Sequence, residues 1–207
     1  MNQFKIIGSS PPRVDALEKV TGKAMFTADF KTHHLLHVKA VRSPYAHARI
    51  LSIDTSEAEG LPGVRGVIKP QDVPDKRIGS MIVDRFLLPR DNIVRFVGEA
   101  IILVAAETAD IAEEAVELVK IEYEELPAVF DVEEAMKKDP PVIIHPERSS
   151  YTYEPSPRYP QMLDPAIPNL QTMAVLRTGD VERGFKEADL IVENRYDCQS
   201  VQHCPIE

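Results

Sequence analysis

The hydrophobic pattern of residues 93–126 constrains the fold of this chain more than any other feature. The apolar run from Ala100 to Ala106 predicts a buried strand. Thr108 or Asp110 then provides a helix cap, and the apolar residues that follow recur on one helical face. From Val119 to Tyr123 apolar and charged residues alternate, which is the period of a strand. The stretch therefore predicts a strand, a helix and a second strand in succession.

Shorter patterns predict the remaining elements. Gly98 interrupts the apolar character after Val97, which indicates a β-bulge or a close backbone approach. The predicted elements are a buried strand at 35–41, strands at 50–54, 64–68, 93–97 and 189–197, helices at 56–59, 131–136 and 180–188 (with Val181, Phe185 and Ala188 facing inward), and a long loop at 70–92. Because strands and helices do not alternate regularly, the fold class is predicted to be α+β.

The chain is predicted to divide into three segments. Residues 1–12 form an arm, residues 13–138 form an α+β domain, and residues 139–207 form a linker and the beginning of a second domain. The linker prediction rests on eight prolines between Pro140 and Pro168. The sequence stops at 202–207 without a turn or tail, which we interpret as a truncation. We expect the C-terminal section to be mobile, or to present a strand edge that allows self-association.

Charge and hydropathy exclude several classes of function. The 207 residues carry a net charge of -9, which disfavours attraction to nucleic-acid phosphates and to anionic membranes. The run from Ala100 to Ala106 is too short to span a bilayer, and the N-terminus lacks the pattern of a secretory signal. We therefore expect a cytoplasmic protein without a nucleic-acid or membrane partner.

Three histidines are the first candidates for metal binding. On a helix, His33 and His37 would share a face and could bind a metal, with His34 nearby. The apolar pair Leu35–Leu36 favours entry into a strand, which separates the two rings, and no Cys or carboxylate follows at ligand spacing. We interpret the three histidines as surface residues.

Two other groups of reactive side chains also have simpler interpretations. The spacing of Cys198 and Cys204, with His203 beside the second, matches neither CxxC nor a zinc pattern, and free cysteines are commonly small buried residues. The carboxylates of Glu122, Glu124 and Glu125 could act as an acid–base pair, but their alternation with apolar residues favours a solvated strand face. No glycine-rich nucleotide motif or GxSxG motif is present.

Several segments, in a fixed order, resemble the large subunits of the xanthine dehydrogenase/aldehyde oxidase family. The same segments are similar to the large subunits of carbon monoxide dehydrogenase and 4-hydroxybenzoyl-CoA reductase. The segments are Arg13–Asp29, Val41–Ser56, Leu61–Ile68, Val94–Thr108, Ala112–Val129, Gly179–Asp189 and His203–Glu207. No single segment is decisive, but their order and their coverage of most of the chain are specific.

The resemblance implies an α/β-hammerhead domain over residues 13–138, followed by the start of a molybdopterin-binding domain. Members of the family are oxidoreductases whose molybdenum is held by a pyranopterin. Their electrons leave through 2Fe-2S clusters to FAD on partner domains or subunits. The implied partners are those iron–sulfur and FAD subunits and the remainder of the molybdopterin subunit. The hammerhead domain is mainly structural.

The resemblance assigns no catalytic or metal-binding residue to these 207 residues, because the family's catalytic segments lie further along. His203 and Glu207 match positions that enter the molybdopterin region, and neither is assigned a catalytic role. We therefore expect no cofactor in this chain alone. The alternative is a freestanding interaction or assembly module. A third possibility, a biotinyl or lipoyl carrier, would need Lys76 as its modified residue, and the match around Lys76 is poor.

Overall fold

The computed structural model describes residues 7–79, 82–153, 164–171, 173, 178–199 and 201. The strands are β1 His37–Arg42, β2 Ala48–Asp54, β3 Val64–Ile68, β4 Ile82–Val83, β5 Ile93–Val94, β6 Ala100–Ala106, β7 Lys120–Glu125 and β8 Thr152–Tyr153. The α-helices are α1 Ala16–Val20, α2 Ser56–Gly60, α3 Ala109–Glu117, α4 Val132–Ala135 and α5 Val181–Glu187, with short 3-10 helices at Thr27–Asp29 and Arg148–Ser150. This mixture confirms the predicted α+β class.

Two three-stranded antiparallel sheets form the central domain. In the first sheet β6 lies between β1 and β3, and in the second β2 lies between β5 and β7. A small third sheet pairs β4 with β8, so that Ile82 lies opposite Tyr153. Neighbouring strands within each three-stranded sheet are not consecutive in the sequence. Each of these sheets therefore joins segments that lie far apart along the chain.

Strand β6 is the centre of the hydrophobic core. Ile101, Ile102 and Val104 are fully buried, although residues 101 and 102 point to opposite faces of the sheet. Helix α3 packs against β1 and β6 and contributes Ala112 and Ala115, while the second sheet contributes buried residues of β2 and β5. Burial of each such aliphatic side chain contributes about 1.5–3 kcal/mol, so this core outweighs the exposed ion pairs at the surface.

The predicted helix caps are confirmed. The Thr108 hydroxyl accepts a hydrogen bond from the Ile111 backbone N–H, with an N–O distance of 3.2 Å. Thr108 directly precedes Ala109, the first residue of α3. Asp131 and Asp180 likewise accept hydrogen bonds from the backbone three residues further on, at the starts of α4 and α5. Each cap satisfies a backbone donor that has no partner within its helix.

Two strand predictions near β1 and β6 were wrong in part. Residues 35–41 were predicted to be buried, but β1 is an edge strand and Leu35, Leu36 and Val38 are exposed. The strand predicted at 93–97 ends at Val94. Gly98 is not a bulge within a strand: it has a φ of 87° and lies between β5 and β6. Its N–H donates to the Ser43 carbonyl at 2.8 Å, which is the predicted close backbone approach.

Other predictions failed where the sequence pattern has no packing partner among the described residues. Residues 189–197 form no strand, and Val181 and Phe185, predicted to face inward, are exposed together with Ala188. The loop predicted at 70–92 is partly ordered, because it contains β4 and a bridge between Ile78 and Arg85. Helix α1 was not predicted. Among the described residues, no helix has both the length and the apolar character needed to cross a bilayer.

The turn before β3 generates a stability prediction. Gly63 has a φ of 93°, and a Cβ at this position would lie 2.7 Å from Cδ1 of Ile111. We expect Gly63→Ala to lower the free energy of unfolding by about 1–3 kcal/mol, measured by urea denaturation, because a side chain at this positive φ strains the backbone and the Ile111 side chain must also shift. Gly66→Ala is the matched control, since nothing lies within 4 Å of its added Cβ. Equal stability of the two variants would contradict this assignment.

Candidate functional site

The densest group of charged and polar side chains lies where the loops around β5 meet residues 142–153. We call it the junction cluster, and it consists of Arg77, Asp91, Arg95, His145, Glu147 and Tyr151. Three of its members come from the segment before β6 and three from the segment after α4. The cluster therefore connects parts of the chain that are about fifty residues apart, as the separation of 52 between Arg95 and Glu147 illustrates.

Arg95 is the centre of the junction cluster. Its Nη2 lies 2.7 Å from Oδ2 of Asp91 and 3.1 Å from Oε1 of Glu147, and its side chain is only 15% exposed. Its Nε also donates to the Ile144 carbonyl at 3.4 Å. One guanidinium group thus binds a carboxylate from each side of the junction, and a charge at this depth needs both partners.

A hydrogen-bonded chain runs from Glu147 to His145. The Tyr151 hydroxyl donates to Oε1 of Glu147 at 2.9 Å, and Nδ1 of His145 lies 2.6 Å from the same hydroxyl oxygen. Because the hydroxyl proton is directed to Glu147, the imidazole must donate through Nδ1–H. Burial, and next Arg95, lower the pKa of His145, so the ring is neutral at pH 7.

In this hydrogen-bonded chain the pKa of Tyr151 is raised and the pKa of Glu147 is lowered. Burial, reinforced by the hydrogen bond to Glu147, raises the pKa of Tyr151. Burial tends to raise the pKa of Glu147 as well, but a backbone hydrogen bond, the Tyr151 hydroxyl and the Arg95 charge outweigh it and lower the pKa. At neutral pH the chain therefore consists of a neutral imidazole, a neutral phenol and a carboxylate.

Arg77 contacts Tyr151 and Glu147, two members of the hydrogen-bonded chain. Its guanidinium carbon lies 4.8 Å from the centre of the Tyr151 ring and 5.0 Å from that of Phe86. Its Nη2 lies 3.5 Å from Oε1 of Glu147, and its Nη1 donates to the Ser150 hydroxyl at 3.2 Å. Stacking between two aromatic rings holds the guanidinium in place.

Two of the cavities that adjoin the cluster are lined by both Asp84 and His145. One has a volume of about 210 Å³ and also contacts Glu99, whose pKa is raised by burial. The other has a volume of about 150 Å³ and reaches Arg148 and Asn169. Both are smaller than the roughly 300–1,000 Å³ typical of ligand pockets. This arrangement is better suited to holding the two segments of the junction together than to binding a large cofactor.

Residues 164–171 are fastened to the same region through Arg148 and Asn169. The Arg148 guanidinium donates to the carbonyls of Ile167 and Leu170 at 2.8 and 2.7 Å. The Asn169 side chain accepts from the Ile144 N–H at 2.9 Å and donates to the Val142 carbonyl at 2.7 Å. Side chains thus satisfy backbone hydrogen-bonding groups that are not paired in a helix or sheet in this irregular segment.

The junction cluster does not fit a molybdenum or molybdopterin site. Across the described ranges, no three His, Cys, Asp or Glu side chains are grouped so that they could hold a metal ion. The carboxylates of Asp91 and Glu147 are already bound to Arg95, and the adjoining cavities are small. We therefore assign no cofactor contact to the junction cluster.

None of the residues singled out in the sequence that the structure describes belongs to the junction cluster. His33 and His34 are exposed residues before β1, and His37, also exposed, is its first residue. Glu122 and Glu124 lie on an exposed face of β7, as predicted, where they contact Ser52 and Arg49; Glu125 at the end of β7 is also exposed. Cys198 is exposed and not buried as interpreted, whereas His203, Cys204 and Glu207 lie outside the described residues. Lys76 is an exposed loop residue before the Ile78–Arg85 bridge.

The sequence interpretation missed the junction cluster. One signal was available, because Arg95 and Glu99 interrupt the apolar stretch that leads into β6. Charged residues are almost never buried without partners, so their position predicts partners elsewhere in the chain. The partners His145, Glu147 and Tyr151 lie in the Pro-rich segment, where no periodic pattern places them.

Comparisons with known proteins agree on one family. Residues 21–127 match the domain described as "Aldehyde oxidase and xanthine dehydrogenase, a/b hammerhead domain". The chain is 35% identical to the nicotinate dehydrogenase large molybdopterin subunit of Eubacterium barkeri, covering 99% of this chain and 43% of that protein. It is 33% identical to the xanthine dehydrogenase molybdenum-binding subunit of Escherichia coli O157:H7, covering 94% of this chain and 24% of that protein.

Solved structures give the same result. The aldehyde oxidoreductase from Desulfovibrio gigas superposes with a TM-score of 0.59 and 37% identity, over 65% of this chain and 16% of that one. The CO dehydrogenase from Oligotropha carboxidovorans superposes with a TM-score of 0.60 and 35% identity, over 66% of this chain and 17% of that one. The chain spans between about a quarter and under a half of the length of these curated relatives.

The position of Arg95 generates a prediction with a built-in control. Arg95→Met removes the cation that Asp91 and Glu147 share and leaves Glu147 only its longer contact with Arg77, so we expect it to lower the free energy of unfolding by about 1–3 kcal/mol. Arg49→Met removes an ion pair to Glu124 in which both side chains are more than half exposed, and should cost no more than about 1 kcal/mol. Urea denaturation measures both. If the two variants lose the same stability, Arg95 is not the centre of the junction.

Proposed function

Because this chain belongs to the aldehyde oxidase and xanthine dehydrogenase family, we propose that it serves as the α/β-hammerhead scaffold of a molybdenum-dependent oxidoreductase. The observation that carries the proposal is the match of residues 21–127 to the hammerhead domain, within an alignment covering 99% of the chain to a large molybdopterin subunit. In this proposal the chain is not catalytic alone. The molybdenum chemistry belongs to the remainder of the enzyme.

The physical character of the domain supports a structural role. Its core is made of aliphatic side chains around β6, and its charged junction consists of groups that bind one another. Such a domain can hold other parts of an enzyme in a fixed orientation without taking part in the reaction. We further propose that residues 139–207 are a linker and the beginning of a molybdopterin-binding domain, in which His203 and Glu207 match motif positions that enter the molybdopterin region and are not catalytic.

Exposed apolar side chains support the proposal that the chain works inside a larger assembly. Phe130 is 85% exposed, and Phe96 and Val97, which line a neighbouring groove with Phe130, are also exposed. Large apolar side chains grouped at a surface commonly mark contacts with other protein segments. We propose iron–sulfur and FAD subunits, and the remainder of the molybdopterin subunit, as the partners.

The same exposed apolar side chains favour one alternative, a freestanding interaction or assembly module derived from this family. The two functions differ in what the chain binds. An enzyme scaffold should bind an iron–sulfur or flavin protein encoded near it, whereas an assembly module should bind some other protein and should leave the complex without metal. Affinity purification of the tagged chain followed by mass spectrometry distinguishes these outcomes.

Metal analysis tests the scaffold proposal. Co-expression with the neighbouring genes should yield a complex that contains molybdenum and iron, whereas the 207-residue chain purified alone should contain neither and should oxidise no aldehyde or purine. Elemental analysis and a dye-reduction assay measure the two properties. The proposal fails if the isolated chain retains stoichiometric molybdopterin, or if the complex with an iron–sulfur partner never forms.

A further inference from the structure

We propose that residues 189–193 of one chain add as a strand to the open edge of β1 in a second copy of the chain, so that two copies associate. The inference concerns association of the chain with itself and does not rest on the proposed function. It starts from two unpaired halves within the described residues. One is an edge strand without an outer neighbour, and the other is a segment with a strand pattern that forms no strand.

The outer edge of β1 is available for pairing. β1 pairs with β6 along one edge and packs against α3, and no described strand lies along its other edge. From His37 to Val41 the register with β6 is unbroken, so the outer edge presents a regular row of backbone donors and acceptors. Val38 and the preceding Leu35 and Leu36 are exposed and leave apolar surface beside that row.

A wide cleft at the start of β1 extends this apolar surface. Its volume is about 850 Å³, and its lining includes Phe30, Leu35 and Leu36, all of which are exposed. An open sheet edge supplies backbone hydrogen bonds, and adjoining apolar surface receives the side chains of an added strand. The edge of β1 and this cleft together therefore suit an extended segment that carries apolar side chains.

The charge around β1 favours an acidic occupant. The stretch between Asp29 and Asp54 contains four Lys or Arg, four His and no acidic residue, although the chain as a whole has a net charge of -9. Lys39 lies in the middle of β1, and its Nζ is 3.5 Å from a carboxylate oxygen of Glu113. A lysine on an edge strand discourages pairing with apolar or basic strands. Carboxylates on the incoming strand offset that charge, so the edge discriminates in favour of an acidic segment.

Residues 189–193 match the edge of β1 in pattern and in charge. Their sequence is Asp-Leu-Ile-Val-Glu, which places three consecutive apolar residues between two carboxylates. Among the described residues, neither carboxylate takes part in an ion pair, and the segment pairs with no strand. The apolar side chains are all more than half exposed: Leu190, Ile191 and Val192.

The other open edges of the two larger sheets fit this segment less well. The strand β5 is only two residues long. The strand β7 carries Glu122, Glu124 and Glu125, which repel an acidic segment. The register of β3 with β6 is interrupted between Val64 and Gly66, so its outer edge is less regular. The pairing we infer is therefore specific for β1.

A reciprocal exchange closes the assembly at two copies. Two chains related by a two-fold axis can each give residues 189–193 to the β1 edge of the other, which makes two equivalent pairings. Arg195 follows the segment closely, and its Nη2 lies 2.7 Å from Oε1 of Glu133 at the start of α4. This ion pair holds the segment beside α4 of its own chain, where it has no strand partner, and a second copy supplies one.

Sedimentation equilibrium of the 207-residue chain tests the association. We expect a monomer–dimer equilibrium in which the dimer fraction rises with protein concentration. The association constant should fall several-fold between 0.1 M and 1 M NaCl, because the screening length shrinks from about 10 Å to about 3 Å. A chain that is monomeric at every concentration would contradict the proposal.

Two lysine variants and their controls identify the surfaces. Val38→Lys places a charge on the β1 edge, and Ile191→Lys places one in the segment, so each should weaken dimerisation by about tenfold or more. Leu51→Lys is the control for the edge, because Leu51 is 58% exposed and Val38 57%, but Leu51 lies on β2, which has a strand on both sides. Val181→Lys on α5 is the control for the segment. Both controls should dimerise as the wild type does.

Mixing the two variants tests whether the segment meets the edge. The Ile191→Lys chain keeps an intact β1 edge, and the Val38→Lys chain keeps an intact segment, so the mixture restores one of the two pairings. In NMR spectra of ¹⁵N-labelled Ile191→Lys chain, the amides of β1 should shift when unlabelled Val38→Lys chain is added. They should not shift when unlabelled Ile191→Lys chain is added.

Two further results would overturn the proposal. If Leu51→Lys and Val181→Lys weaken dimerisation as much as Val38→Lys and Ile191→Lys do, the loss comes from added charge and not from these two surfaces. If the β1 amides respond to the Ile191→Lys chain as strongly as to the Val38→Lys chain, the β1 edges pair with each other and residues 189–193 are not the occupant.

Discussion

The burial of β6 on both faces is the interaction on which the rest of the structure depends. A strand whose consecutive side chains, Ile101 and Ile102, are both fully buried needs neighbours on both edges and cover on both faces. Strands β1 and β3 supply the edges, while α3 and the second sheet contribute to the same core. Because the chain turns sharply at Gly98 immediately before β6, the position of that strand also determines where Arg95 lies and hence where the junction cluster forms.

The chain is stabilised in two different ways. Around β6 aliphatic side chains provide the stabilising energy, whereas the described parts of the irregular segments, residues 70–79, 82–92, 139–153 and 164–171, contain few buried apolar residues and depend on arginines. Arg90 is one example, because its Nη1 lies 3.2 Å from the Pro70 carbonyl and 2.5 Å from that of Val73. Guanidinium groups suit loops, since they can satisfy several backbone carbonyls that no ladder satisfies. Where they are exposed, contacts of a charged guanidinium group are also screened by salt.

The success of the sequence interpretation depended on whether a pattern was local. The β6–α3–β7 succession, the caps at Thr108 and Asp131 and the hammerhead resemblance follow from residues close together in the sequence, and each is confirmed. The strand predicted at 189–197 had a suitable pattern, but a strand also needs a partner, and the described structure supplies none. The junction cluster could not be predicted, because Arg95 and Glu147 come together only through tertiary folding. The local sequence patterns of their two segments do not indicate that the segments are in contact.

We propose that this chain is a scaffold whose fold needs no cofactor. Hydrogen exchange of the isolated chain, purified in the presence of a metal chelator, tests this most directly. We expect the amides of Ile102 and Val104 to be the most protected in the chain and to exchange only through cooperative unfolding, with or without the chelator. If these amides are unprotected in metal-free protein and become protected only when molybdopterin is bound, the cofactor organises the core and the scaffold account is wrong.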